Sequence, residues 1–88
     1  MSDEAEPPEP KPVKFTIGSR KHRIGRIHAL AAMIRGNPEL TPPDAVWKGD
    51  QFRWVAADDR GRVLEVVAVD RPDCLLVIHV MPTALRSR

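Results

Sequence analysis

Two nearly unbroken apolar runs constrain the fold of this chain more than any other feature. Residues 62–69 read RVLEVVAV, interrupted inside only by Glu65, and residues 75–81 read LLVIHVM, interrupted only by His79. Runs of this length, apolar on both faces and rich in Val, Leu and Ile, are expected as interior strands of a sheet. Arg71-Pro72-Asp73 turns the chain between them, and Pro82 stops the second run. An interior strand needs a neighbour on each side. Residues 51–57 supply one, joined to 62–69 by the tight hairpin Asp58-Asp59-Arg60-Gly61, with Gly61 suited to a positive φ. The other must be 13–17, where Val13, Phe15 and Ile17 alternate with Lys14 and Thr16 before Gly18. The expected fold is therefore α+β. It is a small four-stranded antiparallel sheet in the order 51–57, 62–69, 75–81, 13–17, with one main helix packed on one face.

That helix is read at 24–35. Ile27, Leu30, Ala31 and Ile34 fall at i, i+3, i+4 and i+7, a single apolar stripe. Gly36-Asn37-Pro38 is the stop, with Gly36 in a left-handed cap. The back of the helix, Ala29, Ala32 and Met33, carries no charge. Alanine's helix propensity accounts for it. So would a second cover, by the curl of the sheet or by a partner, and this makes it the candidate homodimer face. Pro38, Pro42, Pro43 and Gly49 make 37–50 a loop.

At 88 residues the chain allows one small domain. Its net charge of +2 conceals an asymmetry. Residues 1–10 hold four acids and no base, whereas the remainder holds all fourteen bases and eight acids. Residues 1–12, with four of the nine prolines, are expected to be a disordered acidic arm ahead of a basic domain at 13–88. One cysteine, Cys74, excludes an intrachain disulfide framework and fits a reducing compartment. No run of 18 apolar residues offers a membrane span, and the acidic start is unlike a signal peptide. The expected location is the cytoplasm.

Little conventional chemistry is written in the chain. His22, His28, His79 and Cys74 are not at ligand spacing with one another or with a carboxylate cluster, so neither metal nor cofactor is expected. Ser19 and Ser87 lack a nucleophile-elbow context, and no phosphate-binding glycine loop occurs. What stands out is Arg20-Lys21-His22-Arg23 with Arg26 at the helix entry, a cluster suited to phosphate, though also the form of an ordinary solvated loop. His79 needs a polar neighbour in its apolar strand. If Asp70 opposes Leu75, His79 opposes Val66 and shares a face with Arg53, an arrangement suited to RNA cleavage. If Asp70 opposes Cys74, His79 opposes Glu65, which reads as a structural pair. Trp54 beside Arg53 is a candidate for stacking on a base, or is simply core with Phe52.

The order of these segments resembles a family. Lys21-His22-Arg23-Ile24-Gly25 opens the helix, and 51–57 (QFRWVAA) leads through Asp58-Asp59-Arg60-Gly61 into 62–69. Leu76-Val77-Ile78-His79-Val80-Met81-Pro82 follows. Over about residues 20–82 this is similar to the BrnT-type toxins of the RelE/ParE superfamily. Where such toxins carry arginines after the last strand, this chain reads Met81-Pro82-Thr83 and keeps Arg86 and Arg88. The resemblance implies the toxin of a toxin–antitoxin pair, an endoribonuclease that uses no metal and cleaves RNA by attack of the 2′-hydroxyl. It implies a cognate antitoxin and RNA as partners, with DNA in the complex. Lys21 and His22 match the family's Lys-His step, and Arg53 matches the arginine at the start of its second strand. The implied roles are phosphate binding for Arg20, Lys21, Arg23 and Arg26, transition-state charge for Arg53, and proton transfer for His79 or His22. The alternative is a non-catalytic module of the same fold that grips an antitoxin or nucleic acid by its basic surface.

Overall fold

The computed structural model describes residues 11–20, 24–42, 46–47 and 49–85, with only the backbone of Arg20 and Leu85. Strand β1 is Val13–Phe15, helix α1 is Arg26–Arg35, and β2 to β5 are Glu39–Thr41, Gln51–Ala57, Val63–Asp70 and Leu75–Pro82. Single 3-10 turns occupy Gly18–Arg20 and Thr83–Leu85. The five strands form one sheet in the order β1-β5-β4-β3-β2. The fold is α+β, and among the described residues no helix is long and apolar enough to cross a membrane.

The expected four-stranded antiparallel sheet is corrected on two counts. A fifth strand, β2, pairs antiparallel with β3 inside the segment read as loop, Leu40 opposite Phe52. Three residues with one apolar side chain between Pro38 and Pro42 show no periodicity to read. The second count is direction, since β1 lies parallel to β5, Val13 opposite Leu75 and Phe15 opposite Val77. Alternation says which side chains face the core, not which way a strand runs. The pairing also reaches into the expected arm. Pro12 O accepts a hydrogen bond from Leu75 N at 2.8 Å, and Lys11 Nζ lies 2.7 Å from Asp70 Oδ1. Ile17, read as strand, is 93% exposed beyond the end of β1.

Helix α1 packs on β3 and β4 with the face opposite to the one expected. Ala29 and Ala32 are fully buried against Phe52, Trp54, Leu64 and Val66, whereas Ile27 and Ile34 are 73% and 83% exposed. The sheet supplies the bulk on this side, two aromatic rings 6.2 Å apart, so close packing selects alanine on the helix. Ala29 and Ala32 are thus covered by the chain's own sheet and are not available as a homodimer face. The same closeness corrects the cap. Gly36 is extended, at φ −95°, rather than left-handed. Glycine is needed because a Cβ there would come within 2.8 Å of the Ala56 Cβ. Gly61 does have a positive φ of 79° in the β3–β4 hairpin, as its sequence suggests.

Candidate active site

Along β3, Phe52 and Trp54 point to the helix, so Arg53 between them points to the opposite face, away from α1. On β4, Val66 pairs with Trp54 and Val67 with Arg53, which puts Glu65 and Val67 on that same face. Strict alternation on β5 would put His79 with the core residues Leu75 and Val77. The ladder shifts instead: Ala68 pairs with Val77 and Val67 with His79, leaving Ile78 as an extra residue, a β-bulge. The bulge reverses the phase of β5 and brings His79 to the face away from α1, beside Val67.

Glu65 then reaches both neighbouring strands on the diagonal. Its Oε2 accepts from Arg53 Nε at 2.6 Å, and its Oε1 lies 3.1 Å from His79 Nε2. The Glu65 side chain is 10% exposed, with Arg53 at 34% and His79 at 37%. A nearly buried carboxylate is thus held by a permanent cation on one side and an imidazole on the other. The two outer groups remain open to solvent over Val67. Each alternative for His79 holds in part. Asp70 opposes Leu75 and His79 shares a face with Arg53, as in the first, and His79 pairs with Glu65, as in the second, but the residue opposite His79 is Val67 rather than Val66 or Glu65. Because β3 sets Arg53 opposite Val67, Glu65 and Arg53 share this face, and an unbulged register with His79 opposite Glu65 would gather the same three groups; the bulge brings them together from the Asp70–Leu75 register.

The other expected site residues do not join it. Trp54 is 4% exposed beneath α1, on the wrong face to stack on anything bound at Glu65. Arg26 stands over the Phe15 ring at 5.6 Å, and Phe15 packs against the core on the helix side of the sheet. Lys21, His22 and Arg23 lie outside the described residues, as does the Arg20 side chain. Ser19 is buried, its hydroxyl donating to Thr16 O at 2.7 Å.

Sequence spacing also concealed a second cluster. His28, Asp58 and Asp59 each place a potential ligand atom within 4.8 Å of the others, although about thirty residues separate the histidine from the aspartates. The cluster already has internal partners. Asp58 Oδ1 accepts from the backbone N–H groups of Arg60 and Arg62, both at 2.9 Å, and Arg62 Nε lies 3.6 Å from Oδ2. His28 Nδ1 meets Asp59 Oδ1 at 2.5 Å. Burial pushes the Asp58 carboxyl up. The N–H groups of Arg62 and Arg60 and the charges of Arg62 and His28 outweigh that and hold it below the usual 3.8. The bond to His28 is the main reason Asp59 is also held low. The arrangement latches α1 to the β3–β4 hairpin, and Arg35 Nη1, donating to Asp58 O at 2.8 Å, adds to it.

No family model, curated protein or solved structure matches this chain.

Proposed function

We propose that this protein is a metal-independent endoribonuclease of the toxin type, with Glu65, His79 and Arg53 as its reacting groups. The observation that carries this reading is the Glu65 carboxylate shared between Arg53 and His79 on the face of the sheet away from α1. An acid, a base and a fixed cation around one open spot are what phosphodiester transfer needs. Arg53 and His79 flank Val67 on adjacent strands, so their backbones are about 10 Å apart. In this reading the phosphodiester lies over Val67, beside the two side chains that meet at Glu65. Glu65 takes the proton of the 2′-hydroxyl, whose oxygen attacks phosphorus. Protonated His79 gives a proton to the departing 5′-oxygen as the P–O5′ bond breaks. Arg53 faces the non-bridging oxygens, where charge grows. The products are a 2′,3′-cyclic phosphate and a 5′-hydroxyl end. Arg20, Lys21, His22 and Arg23 extend the reading as an auxiliary phosphate-binding segment, and the likeness to BrnT-type toxins adds a cognate antitoxin and a cytoplasmic setting.

The test is a purified sample on single-stranded RNA in excess chelator. Cleavage with cyclic-phosphate ends, absent on a 2′-deoxy substrate and lost in Glu65→Gln and His79→Ala, is the expected result. RNA left intact by the folded protein would return it to the non-catalytic binding module.

A further inference from the structure

The geometry points to a docking surface on the outer side of α1 for an acidic, amphipathic helix of a partner protein. With Ala29 and Ala32 on the sheet side, the helix directs Ile27 and Ile34 straight outward, with Leu30 and Ala31 beside them. A lone surface helix usually buries its large apolar residues and shows its small ones or its charges; α1 does the reverse. Leu30 and Ile34 also form one wall of a groove of about 390 Å³, completed by Val13, Met33, Pro38 and Trp54. That is room for anchoring apolar side chains.

Charge selects the occupant. Successive residues of a helix are 100° apart, which places Arg26 and Arg35 about a quarter-turn to either side of the outward direction, at opposite ends of the stripe. Both are exposed. The ten residues of α1 include no acid, and the aspartate that meets His28 is engaged by it. The apolar stripe is therefore framed by two cations about 13 Å apart along the axis. A second copy of this chain fits poorly, because α1 against α1 would gather four arginines around one apolar seam with no acid on either helix to meet them. A partner helix with apolar residues at i, i+3 or i+4, and i+7, flanked by glutamates about nine residues apart, satisfies both features. This surface lies across the sheet from Glu65 and does not depend on the nuclease reading.

The experiment uses the full chain and two synthetic helical peptides with the same leucine stripe, one flanked by glutamates and one by lysines. Their binding is followed by fluorescence anisotropy at low and moderate salt. The glutamate peptide should bind at least about tenfold more tightly than the lysine peptide and weaken as salt rises. Ile34→Asp and Arg26→Glu should each cost about tenfold in affinity. Both positions are exposed, so an unchanged melting temperature checks that the fold is intact. His79→Ala should bind as the parent does. Equal affinity for the two peptides, or indifference to Ile34→Asp, would overturn the proposal. Binding that appears only once residues 1–10 are removed would assign the stripe to the chain's own acidic arm. A concentration-dependent dimer abolished by Ile34→Asp would assign it to a second copy.

Discussion

Glu65 meets His79 on the diagonal of the β4–β5 ladder, Oε1 to Nε2 at 3.1 Å, with Val67 directly opposite the histidine. The same carboxylate holds Arg53 from the other side. Replacing Glu65 by Gln keeps the shape and removes the charge, so it separates a reacting base from a structural anchor. The expected outcome is a loss of RNA cleavage of about 10²–10⁴-fold, with little change in RNA affinity. In the proposed reaction Arg53 offsets the charge that develops at phosphorus, so Arg53→Ala should cost about 10²–10³-fold. Single-turnover rates beside binding isotherms check both. A Gln variant as fast as the parent would leave Glu65 a scaffold residue.

Two glycines that look alike in the sequence should respond differently to a methyl group. At Gly36 the backbone is ordinary, but the new Cβ meets the Ala56 Cβ at 2.8 Å. Gly36→Ala should cost about 1–3 kcal/mol by overpacking, and Ala56→Gly in the same chain should recover much of it. At Gly61 the space is empty and the penalty is the positive φ alone, about 1 kcal/mol. No companion substitution rescues that one. Urea unfolding of the three single and double variants is the measurement.

What was legible beforehand follows from pattern length. The apolar runs at 62–69 and 75–81 are long enough to be read as strands, and they occupy the middle of the sheet as β4 and β5. His79 stands out as a polar break in an apolar strand and Arg53 as the residue alternating with Trp54, and both lie on the face away from α1. Strand β2 and the direction of β1 were not legible, being too short or carrying no directional signal. Glu65 was visible but read as an alternative partner that would make His79 structural. Recognising the trio required the β3–β4 register that sets Arg53 opposite Val67, and nothing in two apolar strands marks that one-residue choice. The helix was inverted because amphipathic periodicity finds the large apolar stripe but does not say whether the sheet opposite has room for it. Here Phe52 and Trp54 take that room.

The hairpin latch should contribute to the acid limb of stability. Asp58 and Asp59 are both held below 3.8, Asp59 chiefly by its bond to His28. A carboxylate whose pKa is lower in the folded state than in the unfolded chain stabilises the fold above the unfolded value. It loses that contribution as pH falls through the folded one. Stability should therefore hold steady down to about pH 4 and then decline. His28→Ala removes the largest cause at Asp59, so the decline should be shallower and start from a lower plateau. Denaturant titrations from about pH 6 to pH 2 read the two slopes. Identical acid limbs in parent and variant would mean His28 does not lower Asp59.

The placement of Trp54 makes it a core residue rather than a base-stacking one. It is 4% exposed, 6.2 Å from Phe52 ring to ring, and within reach of a Cβ at Gly36. Removing it leaves a cavity under α1. Trp54→Ala should destabilise the fold by about 3–5 kcal/mol, a large part of the margin of a domain this size. Trp54→Phe should cost less, since it keeps most of the ring volume. Neither should alter RNA affinity per folded molecule, because the indole lies on the far side of the sheet from Glu65 and His79. Binding measured well below each variant's melting temperature makes the comparison. A selective loss of RNA affinity in a fully folded Trp54→Phe sample would show instead that the indole reaches the nucleic acid.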